Sequence, residues 1–218
     1  MPGLVITIAQ RKGGAGKTTL AAQLAVAWAR QDARVAVLDI DPQGSLATWV
    51  KLRRARLGAN ATGFDFAALP GWRASQWIED RARHADLVVI DNPPHAETEA
   101  QIAVRAAGLV LIPVQPSPLD LWATEATFKM ARDERRPPLV VLNRVPPRSG
   151  LTDRVAAEIT KLGAPIAVSR IGNRVALVRA MMSGLGVVES EGASQAAAEI
   201  TAFADEVRRR QNRLTADD

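Results

Sequence analysis

A glycine-rich run near the start of the chain, Gln10-Arg11-Lys12-Gly13-Gly14-Ala15-Gly16-Lys17-Thr18-Thr19, separates two segments of opposite character. Before it, residues 4–9 (LVITIA) are β-branched and few enough to form a buried strand. After it, residues 17–30 are rich in alanine and leucine, with apolar side chains at Leu20, Leu24, Ala27 and Trp28, and read as a helix. Strand, glycine turn and helix in that order make a phosphate-binding loop. The glycines let the backbone bend until its N–H groups converge on phosphate oxygens, and the helix N-terminus adds partial positive charge. Gly13, Gly14, Ala15 and Gly16 supply that cradle, with Thr19 at its helical end. Lys17 would reach the β- and γ-phosphates of a nucleotide, and the Thr18 hydroxyl would ligate magnesium. The bland alternative is a glycine turn carrying an ordinary surface lysine, and the strand-to-helix context argues against it.

Two later strands end in acid. Residues 35–39 (VAVLD) read as a buried strand that runs into Asp39-Ile40-Asp41-Pro42-Gln43-Gly44. Its two carboxylates thus lie at the C-terminal end of a strand, where open α/β sheets place their ligands. Pro42 stops the strand and Gly44 loosens the turn. Residues 87–91 (LVVID) are four apolar positions followed by Asp91, the Walker B pattern, in which the carboxylate holds magnesium through its water shell. Residues 139–143 (LVVLN) end instead in Asn143, whose amide offers both a donor and an acceptor, as an adenine edge requires. For Asp39 and Asn143 the competing readings are a helix cap and a turn former.

One departure from the usual pattern carries more information than the match. An ordinary G-x-x-x-x-G-K-[ST] loop has glycine at position 11, but here Arg11 is followed by Lys12, giving KGGAGKTT. At this point the chain resembles the ParA and MinD family of dimeric ATPases, whose deviant Walker A loop has this form. The resemblance implies ATP and Mg2+ as cofactors, and an ATP-dependent homodimer in which Lys12 crosses to the nucleotide of the other subunit. It places Asp39 near the metal shell, has Asp41 orient or deprotonate the attacking water, and sets Asn143 against adenine. The stretch Pro116-Ser117-Pro118-Leu119-Asp120-Leu121-Trp122-Ala123 resembles the small partition ATPases, in which it lies near the nucleotide and dimer face. Relatives more often have threonine where this chain has Asn92, so no hydroxyl role is assigned there.

Between these motifs the pattern alternates. Helices are expected over residues 45–57, 72–84, 97–107, 118–132, 151–162 and 193–210, and strands over 64–67, 109–114 and 165–168. The second helix has Leu46, Trp49, Val50 and Leu52 on one side and Lys51, Arg53, Arg54 and Arg56 on a solvated basic face. The expected fold is a single α/β domain over residues 1–218, with a mostly parallel twisted sheet, helices on both faces, and no N-terminal helix-turn-helix extension. With no cysteine in 218 residues, disulfides, thiolate metal sites and iron–sulfur relatives are excluded. His84 and His95 have no partners at metal-ligand spacing.

The charge balance is basic, 28 Lys+Arg against 23 Asp+Glu, and mostly arginine. From Ser169 onward helical periodicity is expected to put Arg170, Arg174 and Arg179 near one rim of the fold, with Arg208, Arg209 and Arg210 at the end of the last helix, where cations also suit the helix dipole. Together with the resemblance, they are expected to form a non-specific DNA-binding face. The expected activity is slow ATP hydrolysis that moves plasmid, chromosome or protein-cluster cargo over the nucleoid. A ParB-like or other adaptor protein would stimulate release, and the location would be cytoplasmic. Two alternatives share the loop. A MinD-like membrane switch needs an amphipathic C-terminal helix, which RRRQNRLTADD does not resemble. A P-loop biosynthetic ligase of the dethiobiotin synthetase or cobyrinate amidase kind needs neither Lys12 nor the D-P-Q-G turn.

Overall fold

The computed structural model describes residues 3–58, 62–94, 97–147 and 150–214. His95 and the acidic end of the chain, both weighed above, lie outside the described residues. Six strands form one sheet: β1 (Leu4–Ile8), β2 (Val35–Asp39), β3 (Asp65–Ala68), β4 (Leu87–Asp91), β5 (Leu109–Val114) and β6 (Pro138–Leu142). Their order is β3-β2-β4-β1-β5-β6, and every neighbouring pair is parallel. The helices are α1 (Lys17–Ala29), α2 (Ser45–Leu57), α3 (Ala74–His84), α4 (Glu97–Ala106), α5 (Pro118–Asp133), α6 (Gly150–Lys161), α7 (Val175–Met182), α8 (Val187–Ser190) and α9 (Gln195–Leu214).

The central strands are apolar at every position because a parallel sheet is covered on both faces. Alternate side chains go to opposite layers. Ile6, Val37, Val89 and Leu111 pack under α1, α2 and α9. Val5, Leu38, Val88 and Ile90 meet α3 and α4, while Val110, Ile112 and Val140 meet α5 and α6. Helix α1 is enclosed almost all round, which explains its alanine-rich, weakly amphipathic sequence. At its far end Trp28 is fully buried and donates from Nε1 to the Ala204 carbonyl of α9 at 3.1 Å. Each such large apolar side chain contributes roughly 1.5–3 kcal/mol by leaving water.

Three expectations need correction. Residues 165–168 do not extend the sheet; only Ile166 bridges Val140. The chain turns away because Glu206 of α9 accepts the backbone N–H groups of Val168 and Ser169 at 2.9 and 2.8 Å, taking donors that a ladder would need. The helix anticipated around Arg170 and Arg174 begins only at Val175. The buried face of α2 is also shifted by one position: it runs Leu46, Trp49, Val50 and Arg53, and Leu52 is exposed.

Arg53 is therefore a core residue. It forms a two-pronged pair with Glu189 of α8, both distances 2.7 Å, and donates to the carbonyls of Thr62 at 2.8 Å and Gly184 at 3.2 Å. Its guanidinium also lies 5.6 Å from the ring centroids of Trp49 and Phe64. Truncating it strands a carboxylate and two carbonyls. Arg53→Ala is expected to cost about 3 kcal/mol in urea unfolding, whereas a loss below about 1 kcal/mol would return Arg53 to the solvated face.

Candidate nucleotide site

The sheet itself decides where a ligand sits. From β1 the chain crosses to β2 and β3 on one side, and from β4 it crosses to β5 and β6 on the other. β1 and β4 are neighbours, so the connections leaving their C-terminal ends diverge and open a crevice. The glycine-rich loop leaves β1 at that crevice. Asp91 closes β4 in register with both Ile8 and Asp39.

The loop is held from two directions. Gly14 and Gly16 have φ of 77° and 93°, and Gly16 caps α1 in the left-handed region that glycine tolerates. A Cβ on Gly16 would also lie 2.5 Å from Asn143 Nδ2. On the β6 side Asn143 Nδ2 donates to the Ala15 carbonyl at 2.9 Å. On the β5 side Gln115 Nε2 donates to the Gly14 carbonyl at 2.7 Å. In front of the loop is a cavity of about 460 Å³ lined by Gly13, Gly14, Gly16, Lys17, Thr18 and Thr19, with Asp41, Gln43 and Arg144 on its outer wall.

Charges converge behind this cavity. Lys17 is buried and donates from Nζ to the Gln10 carbonyl at 3.1 Å. Burial pushes its ammonium down from the usual lysine range, against the opposing pull of Asp91 and Asp41. Thr18 Oγ1 donates to Asp91 Oδ2 at 2.7 Å, and Asp91 Oδ1 is buried with no hydrogen-bond partner. Desolvation pushes the Asp91 carboxyl up to about 7, with Asp39 adding to it and the Thr18 hydrogen bond working against it. A hydroxyl and a half-satisfied buried carboxylate suit a magnesium ion whose remaining ligands are substrate phosphate oxygens and water. When bound, such an ion neutralises phosphate charge.

Asp39 has a different environment. Oδ1 accepts the Asp41 N–H at 3.0 Å and Oδ2 accepts the Ala47 N–H at 2.9 Å, so both oxygens secure the turn into α2. Asp39 is not among the residues lining the cavity, and burial holds its carboxyl above the usual range against the backbone N–H groups of Ala47 and Asp41. Asp41 is half-buried, borders the cavity, and accepts the Gln43 N–H at 2.9 Å.

A second cavity of about 420 Å³ continues from the first, sharing Thr19, Arg144 and Met181 with it. Asn143, Gly172, Arg174 and Leu177 are among its other walls. Its half-apolar lining suits a base and ribose beyond the phosphates. Asn143 Oδ1 accepts the Arg144 N–H at 2.9 Å while Nδ2 pins the loop, so the amide spends one acceptor and one donor on the protein. Sequence reading passes over Arg144. It stands at the junction of the two cavities with φ of 51°, a conformation uncommon for a residue with a Cβ. The signal available was its position directly after Asn143. Gln10 was also missed: buried, it donates to Pro113 and Thr124 and accepts from Thr127, tying the loop to α5.

Lys12 points elsewhere. It does not line the phosphate cavity; its Nζ pairs with the buried carboxylate of Asp120 at the start of α5. Nor do the six arginines gather on one face. Arg174 pairs with Glu199 on the cleft side, Arg170 reaches Asp153 at 3.0 Å, and Arg179 lies 3.9 Å from Glu191. Arg208, about two and a half turns further along α9, bears on Asp86 just before β4, at the opposite end of the sheet. Arg210 lies 4.0 Å from Glu206, and Arg209 is exposed.

The raised Asp91 carboxyl fixes a sign. Below the ordinary carboxylate range both folded and unfolded chains hold the proton. From there to about 7 only the folded chain does, so stability falls as pH rises through that window. In the absence of nucleotide and metal, Asp91→Asn should flatten this decline and gain on the order of 2 kcal/mol over the parent at pH 8. Parallel stability curves at pH 5 and 8 for parent and variant would show that Asp91 is already ionised.

Comparison with known proteins agrees with this geometry. Residues 6–187 match the family model of the CobQ/CobB/MinD/ParA nucleotide binding domain. A maintenance of carboxysome distribution protein A from Halothiobacillus neapolitanus is 32% identical over 212 residues, covering 93% of this chain and 95% of that protein. Its counterpart from Gloeobacter kilaueensis is 35% identical over 211 residues, 94% of each. Among solved structures, the septum site-determining protein MinD from Pyrococcus horikoshii, complexed with Mg-ADP, superposes with a TM-score of 0.81. That alignment has 19% identity over 97% of this chain and 98% of that one, and establishes the shared fold. The chain belongs to the CobQ/CobB/MinD/ParA nucleotide-binding family, as a ParA-type member of its ParA/MinD ATPases.

Proposed function

We propose that this chain is a magnesium-dependent ATPase that dimerises when it binds ATP, associates with DNA in that state, and positions a cargo until a partner protein stimulates hydrolysis. The observation that carries the reading is the division of labour between the two loop lysines. Lys17 lies in the phosphate cavity of its own chain, and Lys12 faces out of it beside α5. An ammonium on the same loop that is not committed to its own phosphate cavity is available to the cradle of a second copy. Two chains facing each other through their loops would then enclose two nucleotides, each touched by Lys17 from within and Lys12 from across.

Within each cleft the roles follow from position. Gly13 to Gly16 with Thr19 cradle the phosphates, Thr18 and Asp91 hold magnesium, and Asn143 with Arg144 borders the base. Asp39 contributes by fixing Asp41 through the turn they share. Asp41, on the cavity wall, orients or deprotonates the attacking water, taking its proton as the γ-phosphoryl oxygen bond breaks. The cargo reading is supported by two relatives that match over nearly their full length and are named for carboxysome distribution: a protein assembly rather than a plasmid or chromosome. The adaptor would be the corresponding cargo-bound protein, acting as a ParB-like stimulator. Exposed arginines such as Arg179 and Arg209, brought together from two copies, would supply the DNA contacts, with Arg170, Arg174, Arg208 and Arg210 contributing once they exchange carboxylate partners for phosphates. Such a dimer would ride the nucleoid in the cytoplasm.

Non-specific DNA should shift with the protein in the presence of ATP and magnesium, but not with ADP or without nucleotide. The shift should weaken steeply between low and moderate salt. DNA binding that ignores the nucleotide would separate the arginines from the ATP cycle. Asp41→Ala is expected to lower turnover by roughly 100-fold or more while retaining an ATP-bound dimer. Turnover at the parent rate would remove Asp41 from the chemistry.

A further inference from the structure

A third cavity, of about 450 Å³, lies between α3 and α4 at the end of the sheet opposite the nucleotide cleft. The two helices are drawn together near their starts, where a Cβ on Gly71, just before α3, would stand 2.6 Å from Glu99 Cγ. Further along, the side chains facing the gap are small, Ala82 from α3 and Ala106 from α4, and they leave it unfilled. Val5 of β1 is its floor, and Ile78 and Ile102 are apolar walls. Charge at the rim is unevenly committed. Arg105 makes a fork with Glu134, Nε to Oε2 at 2.9 Å and Nη2 to Oε1 at 3.1 Å. Arg136, in the turn between α5 and β6, lines the cavity without such a partner: its Nε is buried and makes no hydrogen bond. Glu134 feels the charge of Arg136 but is spent on Arg105 and on Gln101 Nε2, which donates to it at 2.6 Å.

We propose that this cavity is a binding site for a small amphipathic carboxylate, whose head pairs with the Arg136 guanidinium and whose apolar tail lies over Val5 between Ile78 and Ile102. A buried guanidinium N–H without an acceptor is costly, and a bound anion removes that cost. The class of anion follows from the charges around it. One uncommitted guanidinium matches one negative charge, while Glu79 on the rim and Glu134 beside it oppose a second, which disfavours a phosphate ester. A planar guanidinium also meets a carboxylate through two parallel N–H···O bonds. The tail follows from the lining: apolar residues from a strand and two helices enclose a volume within the range of small-molecule sites. Val5 stands three residues before the end of β1, from which the glycine-rich loop departs, so the two sites share a strand but no lining residue.

Titration calorimetry on the full chain, with ADP and magnesium in excess to fill the nucleotide cleft, tests this. The probes are decanoate and 4-phenylbutyrate, an aliphatic and an aromatic carboxylate, with decylamine as the cationic control. At least one carboxylate should bind with a Kd below about 1 mM, and decylamine at least about tenfold more weakly. Arg136→Gln should weaken the carboxylate at least about tenfold, as for loss of a charge-assisted hydrogen bond, and Arg136→Lys should recover part of the loss. Ala106→Leu, which fills the space assigned to the tail, should weaken it by a similar factor with Arg136 intact. Should that variant melt early, Ala82→Val narrows the same gap from α3 and should act in the same direction. No carboxylate binding below about 1 mM, decylamine binding as tightly, or equal affinity in Arg136→Gln overturns the proposal. A carboxylate that ADP displaces from both the parent and Arg136→Gln lies in the nucleotide cleft, and overturns it as well.

Discussion

The left-handed backbone at Gly14 and Gly16 is the constraint on which the rest of this molecule depends. A loop in that conformation has few side chains with which to hold itself, so neighbouring strands must hold it. Asn143, at the end of β6, takes the Ala15 carbonyl from one side, and Gln115, just after β5, takes the Gly14 carbonyl from the other. Gln10 locks the base of the loop to α5 through Thr124 and Thr127. The order of β5 and β6 in the sheet is thus part of the site, because it delivers these amides to the correct carbonyls. Pinned carbonyls leave the loop's N–H groups for phosphate, which is the purpose of a cradle built from backbone.

The second organising fact is that three carboxylates and one ammonium share a poorly solvated crevice. Asp39 and Asp91 end adjacent strands in register, Asp41 follows two residues after β2, and Lys17 feels both Asp91 and Asp41. Each adapts differently. Asp39 is satisfied by backbone N–H groups, Asp41 borders the open cavity, and Asp91 retains an unpaired oxygen whose cost appears as its raised proton affinity. A divalent ion entering this crevice would offset the carboxylates, and phosphate would find its counter-charge in Lys17.

The buried strands were legible because a doubly covered parallel sheet requires continuous apolar runs, and residues 35–39, 87–91 and 109–114 have them. The phosphate loop was legible because glycine spacing and the following lysine and threonine leave few other uses. Less could be read where polar groups act in pairs distant in sequence. Arg53 looked solvated until Glu189, more than a hundred residues on, was found to meet it. Residues 165–168 looked like a strand until Glu206 claimed their amides. Resemblance placed the stretch around Asp120 near the nucleotide, but nothing in the stretch itself names Lys12, more than a hundred residues away, as its partner. The arginines failed as a cluster for the same reason: helical spacing places side chains around one axis but says nothing of which end of the sheet each reaches.

The central claim is that one nucleotide site takes Lys17 from one chain and Lys12 from another. Mixing two inactive variants tests it most directly. Lys12→Ala retains its own cradle but lacks the donated lysine, and Lys17→Ala lacks a working cradle but still carries Lys12. In a mixed dimer the first chain's cleft would contain both lysines. The account predicts that ATP hydrolysis, absent from either variant alone, reappears on mixing and peaks near equal proportions. If mixing restores no turnover although sedimentation shows the two chains associating, Lys12 acts within its own subunit and the shared site does not exist.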